Sequence, residues 1–578
     1  MRRTLQFFSI SVLFLLLTTS KSYAQTFDWG FTIGGPDVVM GYIITTDKVG
    51  NSYISGHFNQ QVDFDPGLGV TQLSTSSTNA PNTFIEKLDA QGNFQWVVKF
   101  GERANNIYIS SIVVDELGNL FCTGSFRDSI DFDPGPASNY LVSDGGPDVF
   151  ILKLDSSGNL LWVKSFGGLN GVSSYSIELD SLKNIYIGGS FADSCDFDPG
   201  TSSNIVRKVG DSSVADNPYI LKLDSNSNFL WVKTIHGSKN IYPYDIDVDP
   251  IGNVYSTGWY AFDSVDFDPG NGTFYLTANY DAIYALKLDP NGNFLWAKTI
   301  QGVNNGYANT PRNIIADGTT NIYLTGRFRD TVDFDPGLGS YNLISDSSSY
   351  DIFVIKMTSS GSFVWGKSFG GSKEDFCSST IVDDNGSIYT TGMFSGTTDL
   401  DPSNAVDNHT AVNLTDCFLQ KMDSNGSFQW AVSYGGSSFD QVTSLDVDQS
   451  GNIYSCGYYS IDIDIDPGPV SSIRNAIGNV DMFFQRLSQT STGLIDYSAL
   501  NDDLLIYPIP SNDLITLELN ETIHAVTLSI TDLSGKVVFS KYFERLEKTQ
   551  IGLPDVSGIY FLNLQTEEKN RVFKVVKQ

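Results

Sequence analysis

The sequence predicts an all-β fold: a seven-bladed β-propeller with four-stranded blades, closed by the N-terminal strand, followed by a small Ig-like β-sandwich. Three observations lead to this prediction. The motif Asp-x-Asp-Pro recurs seven times at intervals of 65 to 70 residues, seven tryptophans recur at a similar interval, and the two ends of the repeated region hold complementary parts of one unit. Self-similarity at a fixed period is typical of solenoids, propellers and repeat arrays.

The first 24 residues have the features of a secretory signal peptide. Arg2 and Arg3 give a positively charged start, an apolar run extends over residues 5–17, and residues 22–24 fit a small-x-small cleavage site. The apolar run is too short to span a bilayer, and no later stretch approaches the necessary length. We therefore expect an exported chain without a transmembrane segment.

Each repeat is expected to form four antiparallel strands, A to D. In the second copy, apolar runs flank one break at residues 115–119 and another at residues 155–159, both of the form Asp-x-x-Gly-Asn. An Asp side chain can cap such a turn, and Gly takes the positive φ that a tight hairpin requires. The Asp-Phe-Asp-Pro-Gly segment then links strand B to strand C.

The ends of the repeat favour a closed ring over a string of separate β-sandwiches. The chain begins with a lone D strand around Trp29, and the seventh copy stops after its C strand. Pairing these two strands would complete the seventh blade and cover edges that invite aggregation. The sequence therefore predicts one propeller over residues 25–488.

Tryptophan in strand D is expected to pack between neighbouring blades. The "FGG" segment that follows, or a variant of it, should let the chain cross tightly to the next blade. Trp259 is the exception, because it lies outside the register of the repeat. The tryptophans in register are Trp29, Trp96, Trp162, Trp231, Trp296, Trp365 and Trp430.

These repeats resemble the bacterial SBBP-type β-propeller repeat. The shared pattern is Asp-x-x-Gly-Asn-(Ile/Val)-Tyr-x-x-Gly, followed by Asp-x-Phe-(Ile/Val)-x-Lys-Leu-Asp-x-x-Gly-Asn-x-x-Trp. Examples are "NIYIGGSF" with "PYILKLDSNSNFLW", and "NIYLTGRF" with "DIFVIKMTSSGSFVW". The resemblance implies the propeller fold but no particular activity, because a propeller hosts many functions.

The last segment, residues 503–578, follows a polar linker at 489–502 and resembles a type A C-terminal sorting domain of the type IX secretion system. The resemblance rests on "LLIYPIPSNDLITLEL", "LSITDLSGKVVFS" and "LPDVSGIYFLNLQTEEKNRVFKVVKQ", with Ile509 where members usually carry Asn. It implies contact with the type IX machinery and passage through the periplasm and outer membrane of a Gram-negative bacterium to the surface or medium. A terminal stabilising domain is the alternative. The candidate sorting residues are Tyr507, Pro508, Pro510, Gly535, Lys536, Gly558, Tyr560, Lys574 and Lys577.

Charge and cysteine content exclude some functions. The net charge is −31, and the region between the leader and the tail carries all of it. Such a surface repels nucleic acid and attracts cations or basic partners. The five cysteines are odd in number and irregular in spacing, so we expect small buried apolar residues rather than a disulfide framework.

The sequence contains no recognisable catalytic machinery. The four histidines, His57, His236, His409 and His524, lack zinc-ligand spacing and are expected in solvated loops or turns. No nucleophile elbow or phosphate-binding loop is present, although abundant carboxylates leave a glycosidase-like pair open. We expect a non-catalytic surface propeller that binds a glycan, a protein or a cation. The alternatives are an extracellular polysaccharide hydrolase or lyase, and a structural coat or adhesion component.

The Asp-x-Asp-Pro motif has two interpretations. In the structural one, the second Asp caps the Pro-Gly turn and the Phe packs beneath it, without any ligand. In the other, the two carboxylates and a third acid three residues upstream contribute to a calcium site on an acidic rim. Calcium is the only cofactor that the sequence suggests. The candidate ligands, in copies two to five, are Asp128, Asp131, Asp133, Asp193, Asp196, Asp198, Asp263, Asp266, Asp268, Asp330, Asp333 and Asp335.

Overall fold

The computed structural model describes residues 23–75, 81–101, 107–208, 216–237, 241–302, 309–346, 349–468, 471–491, 504–507, 514–531, 536–552, 558–565 and 570–577. All of the regular secondary-structure elements in these residues are β-strands. No helix in the described residues is long and apolar enough to cross a membrane. Residues 25–489 form one compact unit, and the C-terminal strands belong to another.

The described part of the first unit contains seven antiparallel sheets, here called sheets 1 to 7, each with four strands in the order A-B-C-D; in sheets 4 and 5 the hairpin of the next repeat adds two more strands beside strand D. The N-terminal strand is strand D of sheet 7, beside strand C of the last repeat. Strands A to D are Val39–Thr46, Ser52–Phe58, Asn82–Leu88 and Phe94–Phe100 in sheet 1; Ile107–Val114, Leu120–Phe126, Asp148–Leu154 and Leu160–Phe166 in sheet 2; Val172–Leu179, Ile185–Phe191, Asn217–Leu223 and Phe229–Thr234 in sheet 3; Ile241–Val248, Val254–Tyr260, Ala282–Leu288 and Phe294–Gly302 in sheet 4; Thr310–Asp317, Asn321–Arg329, Tyr350–Thr358 and Phe363–Gly371 in sheet 5; Asp375–Val382, Ile388–Phe394, Asp416–Met422 and Phe428–Tyr434 in sheet 6; and Asp440–Val447, Ile453–Tyr459, Asp481–Ser491 and Tyr23–Ile33 in sheet 7.

A short hairpin joins strands B and C in every repeat, where the Asp-x-Asp-Pro motif was expected to link them. The hairpin also reaches the preceding sheet: the amide of Asp196 donates to Gly167 O at 2.9 Å, and that of Asp464 donates to Gly435 O at 2.9 Å. Each such hairpin therefore ties two sheets together. The hairpin strands are Gln61–Asp63 with Gln72–Ser74, Ser129–Asp131 with Tyr140–Val142, Ser194–Asp196 with Ile205–Arg207, Asp263–Asp266 with Tyr275–Ala278, Thr331–Asp333 with Asn342–Ile344, Thr397–Asp399 with Asn408–Thr410, and Asp462–Asp464 with Ile473–Asn475.

The Asp-x-x-Gly-Asn turns have the predicted geometry. Asp115 Oδ1 accepts hydrogen bonds from the amides of Leu117 and Asn119, both at 2.9 Å, and Asn119 Nδ2 donates to Asp115 Oδ2. Gly118 has a φ of +77°, a conformation that most side chains disfavour. The turn residues thus determine where strand A ends and strand B begins.

Neighbouring sheets are joined by a repeated polar contact, here called the Lys–Trp joint. Lys87 Nζ and Trp96 Nε1, from strands C and D of sheet 1, donate to the same acceptor, Ser156 O, in the C–D turn of sheet 2. The Lys87 ammonium also lies 4.9 Å from the centre of the Tyr53 ring. The same pair of donors joins sheet 3 to sheet 4 and sheet 4 to sheet 5, through Lys222 and Trp231 to Pro290 O and Lys287 and Trp296 to Ser359 O.

Sheets 7 and 1 are joined in an equivalent way. Arg486 takes the place of the Lys, and its Nη1 donates to Ala90 O in the C–D turn of sheet 1 at 3.0 Å. Tyr454 donates to Gly50 O at 3.1 Å, and Trp29 contacts the Tyr454 ring at 6.1 Å. The first and last repeats are therefore neighbours in space.

The "FGG" segment is used as predicted, for close approach. A side chain at Gly167 would collide with the buried carboxylate of Asp148, and one at Gly168 would collide with Ser194 O of the next hairpin. All five cysteines are free thiols; four are buried and Cys377 is partly buried. The expectation of small packed residues without disulfides is therefore met.

The C-terminal unit is a five-stranded antiparallel sheet in its described part. Its strands are Leu504–Tyr507, Leu514–Thr531, Val537–Gly552, Gly558–Gln565 and Asn570–Lys577, and the long second strand pairs with the first, third and fourth. Its core is a cluster of buried apolar side chains: Ile515, Leu517, Val526, Leu528, Ile530, Leu546, Ile551, Tyr560 and Leu562.

Deleting residues 25–36 should lower the melting temperature of the full chain and promote self-association, because it exposes the edge of strand C in sheet 7. As a matched pair, Trp29→Ala and Trp96→Ala should each cost about 3–5 kcal/mol, since both remove a large ring between neighbouring sheets. Thermal melts with size-exclusion chromatography measure this. A deletion variant that melts unchanged and stays monomeric would contradict closure by the N-terminal strand.

Candidate functional site

The Asp-x-Asp-Pro motif forms a capped corner. In copy two, Asp131 Oδ1 accepts from the amides of Asp133 at 3.2 Å and Asn139 at 2.7 Å, while Asp133 Oδ1 accepts from Gly135 N at 2.8 Å. Phe132 is fully buried between aromatic rings of strands B and C. The same three contacts recur at Asp63 and Asp65, Asp196 and Asp198, Asp266 and Asp268, Asp333 and Asp335, Asp399 and Asp401, and Asp464 and Asp466.

The upstream acids occupy a turn position. Asp128 and Asp330 both have a φ of +61°, and Gln60, Gly396 and Ile461 take the same left-handed conformation in copies one, six and seven. Asp is among the few residues that adopt this conformation readily, so the backbone alone accounts for an Asp here.

The other two upstream acids differ. The Asp193 carboxylate accepts from Asn170 Nδ2 at 3.0 Å, and the Asp263 side chain lies outside the described residues. Within the described ranges, no three His, Cys, Asp or Glu side chains are grouped closely enough to hold a metal ion. Calcium binding by the twelve candidate ligands stays a prediction.

A cavity of about 900 Å³ is lined by strand A of all seven sheets. Each strand A contains a β-bulge where the register to strand B shifts, for example between Gly41 and Ile43. A bulge redirects a side chain, and all seven bulged residues line the cavity. They are Tyr42, Ser110, Tyr175, Tyr244, Arg312, Ser378 and Thr443.

Aromatic side chains gather near the N-terminal ends of these strands, in a group here called the aromatic mouth. On one side, the His57 ring lies 5.4 Å from Tyr42 and 5.5 Å from Tyr108. In sheet 4, Trp259 stacks on Tyr242 with ring centres 4.6 Å apart and planes inclined by 22°. The members are Tyr42, His57, Tyr108, Tyr242, Trp259 and Tyr458.

The aromatic mouth carries no charge at neutral pH. Burial lowers the pKa of His57 to about 4 and raises the pKa of Tyr42 to about 12. The prediction that His57 lies in a solvated loop or turn is wrong: it belongs to strand B of sheet 1, and its ring packs among the tyrosines. His409 and His524 also lie in strands.

Four acids further along strand A, here called the channel carboxyls, line the same cavity. Asp247 accepts from Ala316 N at 2.7 Å, and Asp245 accepts from Ile314 N at 3.1 Å, so both contact the next sheet. Burial raises the pKa of Asp245 to about 6 and that of Asp247 to about 7. The group comprises Glu178, Asp245, Asp247 and Asp446.

The remaining two channel carboxyls also have raised pKa values. Burial, followed by the charges of Asp247 and Asp245, raises the pKa of Glu178 well above its usual value. Burial likewise raises the pKa of Asp446, which accepts from Thr46 N at 2.6 Å. Asp247, Glu178 and Asp446 share one register position in sheets 4, 3 and 7.

Sequence reasoning missed the bulge residues and the channel carboxyls. One signal was visible: Trp259 departs from the tryptophan register, and it lies at the aromatic mouth.

Only part of the predicted sorting signal can be placed. Tyr507 ends the first strand of the C-terminal sheet, Lys536 precedes the third, and Tyr560 is buried in the fourth. Gly558 begins that fourth strand, and Lys574 and Lys577 lie in the fifth. The predicted sorting residues Pro508, Pro510 and Gly535 lie outside the described residues.

Comparison with known families identifies both parts of the chain. Residues 505–578 match the family described as a secretion system C-terminal sorting domain, and residues 95–125 match the SBBP β-propeller repeat. The chain therefore carries a segment of the SBBP repeat type and a C-terminal sorting domain of the type IX kind. It is exported to the cell surface or secreted by a Gram-negative bacterium, and its tail interacts with the secretion machinery.

The chain is also similar, at lower sequence identity, to individual proteins. The chain is 21% identical over 477 residues to an uncharacterized WD repeat-containing protein of Acanthamoeba polyphaga mimivirus, covering 71% of this chain and 34% of that one. It is 24% identical over 181 residues to the regulatory protein FlaEY of Caulobacter vibrioides, covering 31% of this chain and 18% of that one. The chain thus spans about a third and about a fifth of these relatives. A Bacteroides caccae protein of unknown function superposes with a TM-score of 0.30 at 10% identity, over 61% of this chain and 89% of that one.

The free energy of unfolding should fall as pH rises from about 4 to about 7. The folded unit of residues 25–489 holds protons on Asp245 and Asp247 that the unfolded chain releases near pH 4. In Asp247→Asn this loss should shrink by about 1–2 kcal/mol. Urea unfolding at several pH values measures the slope of the unfolding free energy against pH. The hydrogen bond lost in Asp247→Asn lowers stability by the same amount at every pH, so it does not change this slope. Asp384→Asn, in an exposed turn, should retain the wild-type slope. Parallel curves for wild type and Asp247→Asn would contradict the assignment.

Removing residues 503–578 should leave residues 25–489 in the periplasm, because the signal peptide predicted at residues 1–24 leads only that far. Surface labelling and cell fractionation measure this, with the intact chain as the control. Truncated protein found outside the cell would contradict delivery by the sorting tail.

Proposed function

We propose that this protein is an exported, non-catalytic seven-bladed β-propeller whose aromatic mouth binds an extracellular glycan. The ring is supported by the contacts of Arg486 and Tyr454 with the first repeat, which reproduce those of ordinary neighbours. It is also supported by the cavity, to which strand A of every described sheet contributes. A closed ring leaves no unpaired edge between its first and last blades.

The proposal includes the remaining parts of the chain. Residues 1–24 act as the signal peptide, residues 489–502 act as the linker, and residues 503–578 fold as an Ig-like sandwich. The sandwich is supported by the core of the C-terminal unit, in which nine apolar side chains are buried. Burial to this extent requires a second layer, because one open sheet leaves a face to water.

The single observation that carries the glycan proposal is the aromatic mouth. Sugar rings present a C–H face that packs on an aromatic face, while the polar edges of Tyr and Trp hydrogen-bond to hydroxyls. The Tyr242 and Trp259 pair offers such a platform, and Tyr108 is 46% exposed on the other side. A cavity of about 900 Å³ is of the size that holds small-molecule ligands.

A polysaccharide hydrolase is the second candidate, and the channel carboxyls favour it. Glycosidases use one carboxyl with a raised pKa as the acid and another as the base or nucleophile. Asp245 and Asp247, with pKa values of about 6 and about 7, have the property that the acid requires. Turnover that is lost in Asp247→Asn would favour this candidate.

Glycan-array binding of the full chain, run beside hydrolysis assays on the same polysaccharides, tests the proposal. We expect binding without turnover, and Trp259→Ala should weaken it by at least about tenfold, corresponding to about 1.4 kcal/mol for the lost stacking. Tyr275→Ala removes an exposed aromatic ring from the outer hairpin of the same repeat and is the matched control.

Two results would contradict the proposal. One is the absence of binding to any glycan, and the other is binding that Trp259→Ala and Tyr275→Ala affect equally. Binding accompanied by cleavage would replace the proposed function with the hydrolase.

A further inference from the structure

The cavity behind the aromatic mouth holds four carboxyl groups that no described cation pairs with. Glu178, Asp245, Asp247 and Asp446 line its wall, and Arg312 is the one Lys or Arg among the described lining residues. None of the four acids forms an ion pair with a described cation. The donors to Asp245, Asp247 and Asp446 are neutral amides and hydroxyls, so an ionised carboxylate at these positions has no paired counter-charge.

Arg312 is an incomplete counter-ion for this group. Its Nε donates to Ser378 O at 2.6 Å, which holds the side chain against strand A of sheet 6, and the residue is exposed. Its charge is the smallest of the effects on the pKa of Asp245, which burial dominates. A second positive group inside the cavity would therefore lower the free energy of ionising these acids.

The remainder of the molecule also attracts cations. The net charge of −31 draws positive ligands towards the surface at long range. Aromatic faces bind ammonium groups through the ring quadrupole, and the chain already uses this contact at Lys87 over Tyr53, 4.9 Å from the ring centre. His57 is neutral, so the aromatic mouth does not oppose an entering cation.

We propose that the ligand is an amino-sugar glycan, whose ring stacks on Trp259 and whose ammonium group lies against the channel carboxyls. This inference rests on the proposed function and adds the charge of the ligand to it. The platform and the acids belong to one cavity, lined by Trp259, Asp245 and Asp247 of sheet 4 and Glu178 of sheet 3. A ligand of this kind packs on the stacking surface and supplies the counter-ion that favours ionisation of the carboxyls.

A matched pair of probes tests the inference: a short glucosamine oligomer and its fully N-acetylated counterpart, which differ in charge at each ring. Calorimetric titration of the full chain should show the glucosamine oligomer binding at least about tenfold more tightly, as expected for one close charge pair. Trp259→Ala should weaken both probes.

Substitutions of the acids and of Arg312 should change the affinity for glucosamine in opposite directions. Glu178→Gln and Asp247→Asn should weaken glucosamine binding about tenfold and leave the N-acetylated probe unchanged, whereas Arg312→Gln should strengthen glucosamine binding several-fold. Glu178 accepts no side-chain hydrogen bond from another described sheet, so its replacement removes the ionisable group without breaking a joint. Asp384→Asn, exposed in an A–B turn, is the control and should change neither.

The outcomes distinguish failure of the amino-sugar inference from failure of glycan binding at the aromatic mouth. Equal binding of the two oligomers, or unchanged glucosamine binding in both acid variants, overturns the inference and leaves glycan binding at the aromatic mouth intact. If neither oligomer binds, the inference is also overturned, and the glycan array with Trp259→Ala then decides the proposed function independently.

Discussion

The Lys–Trp joint is the contact on which the rest of the propeller unit depends. Backbone carbonyls in C–D turns, such as Ser156 O in sheet 2, are covered by the preceding sheet, and a covered carbonyl costs free energy unless donors reach it. Lys87 and Trp96 supply both donors at one joint, and Arg486 supplies the donor between the last sheet and the first. Because strands B, C and D and their turns are committed to these joints, their residues repeat closely along the chain.

Strand A is under a different constraint, because it faces the cavity. Its bulge redirects one side chain per sheet inward, and that residue varies from Ser110 to Tyr175 to Arg312. The repeated residues therefore build the frame, and the irregular ones build the aromatic mouth and the channel carboxyls. The Asp-x-Asp-Pro motif belongs to the frame by the same criterion: its carboxylates cap a corner, and its hairpin ties adjacent sheets.

Much of the frame could be predicted from the sequence because each part follows a local rule. Gly118 marks a positive-φ turn, Phe132 alternates into the core, and the lone Trp29 strand has one place to pair. The site could not be predicted in this way. A bulge depends on the register between two strands, so the periodicity around Tyr42 does not show that its side chain turns inward. The left-handed φ of Asp128 is likewise invisible in the sequence.

Hydrogen exchange with and without a bound glycan tests this division between frame and site most directly. If the irregular positions of strands A and B form the binding site, exchange should slow in peptides that cover residues 39–46, 107–114 and 241–260. The outer hairpins, such as residues 129–142, should exchange at the same rate in both states. Protection confined to the outer hairpins or to the sorting tail would contradict the assignment of function to the aromatic mouth.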